Sequence, residues 1–154
     1  MLTAMLSVPS FAQSRTERRE AEAARIMEMV SDTVYTISVS SALPMGWKTV
    51  NLTSVYTLEV AKDSIISHLP YFGRAYSIPY GGGKGLMFEG KAKDYSVSDA
   101  KGGGKDIEFS VMNEEDNYTF NVTVYPNGSA YVNVNSNRRQ PISYIGRIEK
   151  SDDR

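Results

Sequence analysis

Cysteine is absent from the 154-residue sequence, and histidine occurs once, as His68. The absence of cysteine excludes disulfide frameworks, thiol nucleophiles, cysteine-ligated metals and the attachment of a lipid anchor to an N-terminal cysteine. One imidazole without thiols leaves only carboxylates as strong metal ligands. We therefore expect no metal, no cofactor and no covalent chemistry based on cysteine.

The sequence also lacks a charge excess and a long hydrophobic run. Lys and Arg together number 17 against 18 Asp and Glu, which gives a formal net charge of −1. Such a balance offers no electrostatic attraction to a nucleic acid or to an acidic membrane surface. No run reaches the roughly 18 apolar residues of a membrane span. With 41% hydrophobic residues, the composition is typical of one soluble globular domain.

The first 12 residues predict part of a secretory signal peptide. Residues 1–8 are mainly apolar, Pro9 interrupts them, and Ser10-Phe11-Ala12 places small residues at the two positions that signal peptidase reads. We expect cleavage after Ala12 and a periplasmic or secreted mature protein. The apolar run is short and no basic residue precedes it, so the alternative is a buried or frayed apolar segment.

Residues 13–32 predict an amphipathic helix. Ser14 and Glu17 have the spacing of a capping box, which places the start of the helix near Ser14. Apolar residues then recur at helical spacing and form one face, namely Ala23, Ile26, Met27 and Val30. Such a helix requires a surface on which to pack.

From residue 33 to residue 150 the apolar pattern changes to a period of two, which predicts short β-strands. Pro126-Asn127-Gly128 is a strong hairpin signal, and Gly90 is expected to bulge or flatten its strand. No helical crossovers are visible, so we expect an antiparallel sheet rather than a parallel one. The predicted fold is α+β and mainly β. It has an N-terminal amphipathic helix and a curved antiparallel meander of seven or eight strands, open or partly closed into a barrel. Residues 151–154 are expected to fray.

No catalytic arrangement is visible in the sequence. Ser67 and His68 are adjacent on a predicted strand and should point to opposite faces, so they cannot form a nucleophile–base pair. The glycine runs 81–85 and 102–104 lack the spacing of a phosphate-binding loop. Asn113–Asn117 lacks the ligand pattern of a calcium loop and predicts a solvated turn. A non-enzyme is the expectation, with a carboxylate-dependent hydrolase as an alternative.

Large aromatic side chains are concentrated between residues 68 and 88. Tyrosine and tryptophan offer flat apolar area with a polar tip, which suits sugars, peptides and partner surfaces. The candidate binding residues are Tyr71, Arg74, Tyr76, Tyr80 and Trp47. The alternative is that Leu69, Pro70 and Phe72 cover one end of the sheet, with the tyrosines bonded to the backbone.

One motif in this region resembles a known family. The residues Leu69-Pro70-Tyr71-Phe72-Gly73-Arg74-Ala75-Tyr76 are similar to the domain-of-unknown-function family 4251, found in exported proteins of Bacteroides-group bacteria. Residues 85–88 and 137–146 also fit, and the resemblance covers nearly all of the chain after the helix. It implies an exported or envelope domain and implies no activity.

Three functions are compatible with these observations. The first is a non-catalytic exported binding or interaction module that uses the aromatic segment, with a glycan, a peptide or an envelope protein as partner. The second is a structural or accessory envelope protein without a small-molecule ligand. The third is the carboxylate-dependent hydrolase.

Overall fold

The computed structural model describes residues 11–73 and 85–151 of the chain. Within them lie one α-helix, one 3-10 turn (Lys101–Gly103) and eight strands. The elements are α1 (Phe11–Asp32), β1 (Val34–Pro44), β2 (Val50–Ala61), β3 (Ser64–Leu69), β4 (Leu86–Asp99), β5 (Lys105–Met112), β6 (Asn117–Val124), β7 (Ser129–Ser136) and β8 (Ile142–Glu149). Each strand pairs with its neighbours in sequence, and β8 pairs with β1, so the sheet is a closed barrel. The predicted antiparallel meander is confirmed, with eight strands and full closure.

The seam between β1 and β8 depends on a bulge and a glycine. The pairing runs from Thr36↔Glu149 to Pro44↔Ile142 and shifts register between Val39 and Ser41. Gly146 lies opposite Val39, and a Cβ atom there would be 2.1 Å from the carbonyl oxygen of Ser38. Only glycine permits so close an approach of the two backbones. Closure adds the β1–β8 ladder and leaves neither strand with an open edge along this seam.

The interior of the barrel is filled by side chains. Alternate residues of the strands point inward, and the largest fully buried ones are Tyr35, Tyr118, Tyr144, Phe109 and Phe120. The rings of Phe109 and Phe120 stack with centroids 5.0 Å apart. Inside the barrel the hydroxyls of Tyr35 and Tyr95 lie 2.9 Å apart, so each polar tip has a partner. Where the structure describes it, the barrel interior is thus a packed core.

Helix α1 packs across one end of the barrel with its C-terminal half. Ile26, Met29 and Val30 are buried, whereas residues 15–21 are exposed. The Lys62 Nζ in the β2–β3 turn donates to the carbonyl of Asp32 at 2.8 Å, and Glu22 pairs with Arg147 at 3.6 Å. Among the described residues no helix is both long and apolar enough to cross a membrane.

Two local predictions are wrong. The helix passes through Ser14 instead of starting there, because alanine, glutamine and arginine around this position are all good helix formers. The bulge in β4 lies between Lys93 and Ser96, where Asp94 has φ 55°, and not at Gly90. Gly90 pairs regularly with Ile65 and provides close packing instead, since a Cβ there would lie 2.5 Å from a methyl carbon of Val111. Residues 1–10 of the predicted signal segment lie outside the described residues.

Candidate functional site

Four connections meet at the end of the barrel opposite α1, which we call the loop end. They are the β1–β2, β3–β4, β5–β6 and β7–β8 connections, because alternate connections of an antiparallel meander share one end. Of the predicted binding residues, Trp47 lies in the first connection and Tyr71 in the second. Arg74, Tyr76 and Tyr80 lie outside the described residues.

Tyr71 is held inside the loop end rather than presented to solvent. Its side chain is half-buried against the core, and its hydroxyl donates to the carbonyl of Gln140 in the β7–β8 connection at 2.9 Å. The guanidinium carbon of Arg139 lies 5.1 Å from the centroid of the Tyr71 ring, a cation–π contact. Tyr71 therefore joins two connections that are 69 residues apart in sequence.

Two further tyrosines hold the described flanks of the β3–β4 connection. The buried hydroxyl of Tyr144 on β8 donates to the carbonyl of Pro70 at 2.5 Å. The hydroxyl of Tyr118 on β6 lies 3.4 Å from the carbonyl of Gly85 and donates to it. Burial raises the pKa of both phenols above the ordinary value, so they remain neutral donors at physiological pH. The backbone on each side of this connection is fixed to the barrel wall.

Trp47 stands on a tight turn between β1 and β2. Pro44 is buried at the end of β1, and the Trp47 N–H donates to its carbonyl at 3.3 Å. Gly46 has φ 73°, the positive value that the third residue of a type II turn requires. The turn points two large side chains outward: the exposed fractions of Met45 and Trp47 are 57% and 70%.

The two exposed side chains border an open groove of about 560 Å³ at the loop end. The groove is lined by Met45, Gly46, Trp47, Gly73 and Gln140. None of these five side chains carries a charge. Of them, only Trp47 is among the residues predicted from sequence to bind a ligand. The others were missed because they come from three separate connections, although the meander topology itself predicts that these connections share an end.

Gly73 connects the groove to the Tyr71 contact. Its φ is 147°, and a Cβ atom there would lie 2.9 Å from the Tyr71 hydroxyl oxygen. A side chain at residue 73 would displace the hydroxyl that bonds to Gln140. The same glycine thus forms part of the groove surface and allows the tyrosine behind it to dock.

The only histidine does not enter a catalytic arrangement with Ser67. Ser67 points inward, is buried, and donates to the carbonyl of Leu86 at 2.7 Å. His68 is exposed and stacks on Tyr56 with ring centroids 5.8 Å apart. The prediction that the two side chains diverge is confirmed.

The acidic turn between β5 and β6 uses its oxygens to bind backbone groups. The Asn113 Oδ1 accepts from the N–H groups of Glu115 and Asp116. The Asp116 carboxylate accepts from the backbone N–H groups of Asn117, Asn137 and Arg138. Across residues 11–73 and 85–151 no group of three or more His, Cys, Asp or Glu side chains is placed to hold a metal ion. The turn is a structural link to the β7–β8 connection.

Pairs of carboxylates share several grooves on the described surface, among them Glu59 with Glu149 and Asp106 with Glu108. Asp106 and Glu108 on β5 line an open groove of about 380 Å³ on the outer wall of the barrel, together with Ser96 and Ser98 of β4. Asp106 Oδ1 accepts from the Thr123 hydroxyl at 2.6 Å. General acid catalysis by a carboxyl relies on burial to raise its pKa, whereas both of these side chains are exposed. The arrangement is that of a solvated strand face.

Comparison with known proteins gives a family and a fold. A sequence model of the family described as Domain of unknown function (DUF4251) matches residues 17–148, whereas no curated protein matches the chain. The crystal structure of a DUF4251 family protein from Bacteroides eggerthii DSM 20697 is similar, with a TM-score of 0.66 and 15% sequence identity over 84% of this chain and 88% of that chain. The resemblance inferred from the motif at residues 69–76 is confirmed, and the chain belongs to the DUF4251 family.

Proposed function

We propose that this protein is a non-catalytic binding module that acts in the periplasm or outside the cell, with its ligand site in the groove beside Trp47. The observation that carries the proposal is the position of the single tryptophan of the chain, 70% exposed and bordering a groove whose described lining residues are all uncharged. A scattered apolar residue on a surface is ordinary. Here, by contrast, two large apolar side chains of one turn, Met45 and Trp47, border the same groove.

The bonds that hold the described residues on two sides of the groove support a binding role. Trp47 is anchored through Pro44, and the opposite side of the groove is fixed by the bond between Tyr71 and the Gln140 carbonyl. A surface that is already ordered loses little conformational entropy when a ligand binds. Tryptophan is moreover the side chain most enriched at the energetic centres of binding sites. The apolar residues 1–8 and the small residues before position 13 support export.

A specific observation favours the second candidate, a structural or accessory envelope protein. Tyr71, the residue first selected from the aromatic motif, is half-buried and bonded to the backbone. If Tyr71 only helps to cover one end of the barrel, its contacts are explained without any ligand. The two candidates therefore assign different roles to Trp47, which binds a ligand in the first and has no role in the second. Its indole makes no described hydrogen bond, and the residue is not part of the core.

The test uses the fact that Trp47 is the only tryptophan, so indole fluorescence reports on this residue alone. The mature protein is titrated with oligosaccharides and with tryptophan-free peptides, and binding is followed by emission and by amide NMR shifts of residues 45–47 and of residues 139 and 140. We expect at least one compound to shift both signals with saturation. Trp47→Ala should abolish the NMR response, whereas Tyr131→Ala, an exposed aromatic on the outer wall, should retain it. Failure of every compound would refute the proposal.

A further inference from the structure

We propose that α1 is a latched cap that opens from the barrel as one unit, with its hinge at Thr33 and its latch at Lys62, while the barrel stays closed. This inference goes beyond the proposed function, because it concerns the end of the barrel opposite the groove beside Trp47. Opening exposes the apolar face of the helix and leaves the Trp47 turn in place.

The barrel does not need the helix for its own strand pairing. The strands form a closed ring of ladders from β1 to β8, whereas the backbone bonds of an α-helix join residues of the helix itself. The helix can therefore leave without breaking a rung of the sheet. Glu22 and Arg147 form an ion pair between helix and barrel, but both side chains are partly exposed, and such pairs contribute little.

The packing of α1 on the barrel is interrupted on both flanks of the helix. An open groove of about 420 Å³ lies between Met29 and the β2–β3 turn, and another of about 320 Å³ lies between Met27 and Val97 of β4. Side chains that line a gap lose the dispersion contacts that a close-packed neighbour would provide. The described helix side chains that are buried are Ile26, Met29 and Val30. The docked helix is thus held by a narrow apolar stripe.

Thr33, the first residue after α1, is strained. Its φ is 57°, in the left-handed region where a β-branched residue is an outlier. Its N–H donates to the Val30 carbonyl at 3.2 Å, so it stands where helices usually end in glycine or asparagine. The docked helix holds Thr33 in this conformation, and opening allows it to return to an ordinary φ. The strain therefore favours the open state and places the hinge at this residue.

Lys62 holds the strained junction from the β2–β3 turn. Its backbone N–H donates to the Thr33 carbonyl at 2.7 Å, and its Nζ donates to the Asp32 carbonyl at 2.8 Å. The last turn of α1 carries no basic residue of its own, so the Lys62 ammonium supplies the positive charge that stabilises the end of a helix. One residue of the barrel thus bonds two consecutive carbonyls at the helix end, and loss of its side-chain bond should release α1.

The test is native-state hydrogen exchange of the mature protein, followed by amide NMR at urea concentrations below the unfolding transition. It compares amides 26–30 of α1 with amides 118–124 of β6. Most of the stability of a helix in a protein comes from the packing of its apolar face, so the open helix protects its amides poorly. We expect the α1 amides to be at least tenfold less protected than those of β6, with a smaller dependence on urea, since opening exposes less surface than global unfolding. Equal protection and equal urea dependence in the two groups would overturn the proposal.

Two variants identify the latch and the hinge. Lys62→Met removes the bond from the ammonium to the Asp32 carbonyl and should speed exchange of the α1 amides about threefold to tenfold. Thr33→Asn should slow it about threefold or more, because asparagine tolerates the left-handed region. Lys91→Met is the matched control: its Nζ lies 3.6 Å from Asp63 in the same turn, its side chain is 82% exposed, and exchange should not change. A Lys62→Met protein that exchanges like Lys91→Met would overturn the latch, and an unchanged or faster rate in Thr33→Asn would overturn the hinge.

Tyr144→Phe separates opening of the cap from unfolding of the barrel. This change removes a hydroxyl that bonds to the Pro70 carbonyl at the loop end. It should speed exchange of the β6 amides about tenfold and leave the α1 amides unchanged, since the cap opens without disturbing the loop end. Equal acceleration of both groups would mean that α1 opens only when the barrel unfolds, which would overturn the proposal.

Discussion

A methyl group added at residue 146 tests how the barrel closes. In Gly146→Ala the new Cβ would lie 2.1 Å from the Ser38 carbonyl oxygen and 2.8 Å from both the Ser38 carbonyl carbon and the Val39 Cα. Ordinary contacts of this kind begin near 3.4 Å. Strands β1 and β8 must therefore separate locally by roughly 1 Å or more, and backbone atoms cannot avoid the clash by changing rotamer.

The expected cost follows from what the separation breaks. Overpacking a well-packed site costs about 1–3 kcal/mol, and each lengthened backbone hydrogen bond of the seam adds about 0.5–1.5 kcal/mol. Strand β1 is also paired with β2, which prevents it from moving freely. We expect the free energy of unfolding to fall by about 3 kcal/mol or more, and the melting temperature by roughly 6–12 °C.

The assay is urea unfolding followed by circular dichroism, together with thermal melting. Glu149→Ala is the control, because Glu149 lies on the same strand and is exposed, and such a change should stay within about 0.5 kcal/mol of the parent. A Gly146→Ala protein as stable as the Glu149→Ala control would refute the closed seam as described.

Three further predictions concern the loop end and the buried tyrosines. Tyr144→Phe leaves the buried Pro70 carbonyl without the hydroxyl that it accepts from, so urea unfolding should show a loss of about 1–3 kcal/mol; an unchanged midpoint would contradict that contact. Trp47→Ala should change the free energy of unfolding by no more than about 0.5 kcal/mol, since the side chain lies outside the core; a loss of several kcal/mol would assign Trp47 a structural role. Burial raises the pKa of Tyr35 and Tyr144 above the ordinary value near 10, so the folded state holds both protons more tightly than the unfolded chain. Stability should be constant with respect to these groups below about pH 10 and then fall by about 1.4 kcal/mol per pH unit for each tyrosine. Urea titrations of the parent and of Tyr35→Phe should differ in that alkaline slope, and equal slopes would contradict the burial of Tyr35.

The meander was predictable because local signals agree with one another along the chain. Alternation in segments such as Tyr118–Val124 identified inward and outward faces, and Pro126-Asn127-Gly128 identified a hairpin. Closure was left open, since it depends on pairing between β1 and β8, which are about 100 residues apart. Sequence periodicity carries no information on whether two distant edges meet.

The position of Asp94 shows where local signals fail. Glycine is the residue expected at an irregular strand position, yet the bulge in β4 occurs at an aspartate with positive φ. Asp and Asn tolerate this conformation better than other non-glycine residues. The irregularity is set by the register of β4 against β5, which is a tertiary property.

The candidate site was predictable in part. Trp47 and Tyr71 were selected for their chemistry, and the structure places both at the loop end. Their different roles were not predictable, because the partners of Tyr71 are Gln140 and Arg139, far away in sequence. Met45 and Gln140 carry no distinctive chemistry and are recognised only when the fold brings them to one groove.

The most direct test of the account is a fluorescence titration of the single tryptophan with the oligosaccharides and the tryptophan-free peptides. Before ligand is added, emission should be close to that of the unfolded chain, because Trp47 is 70% exposed. Addition of a compound that binds should shift the emission to shorter wavelength with saturation, as water leaves the indole face. Native emission typical of a buried indole, or no saturable change with any ligand of the oligosaccharide and peptide panels, would contradict a binding site at Trp47.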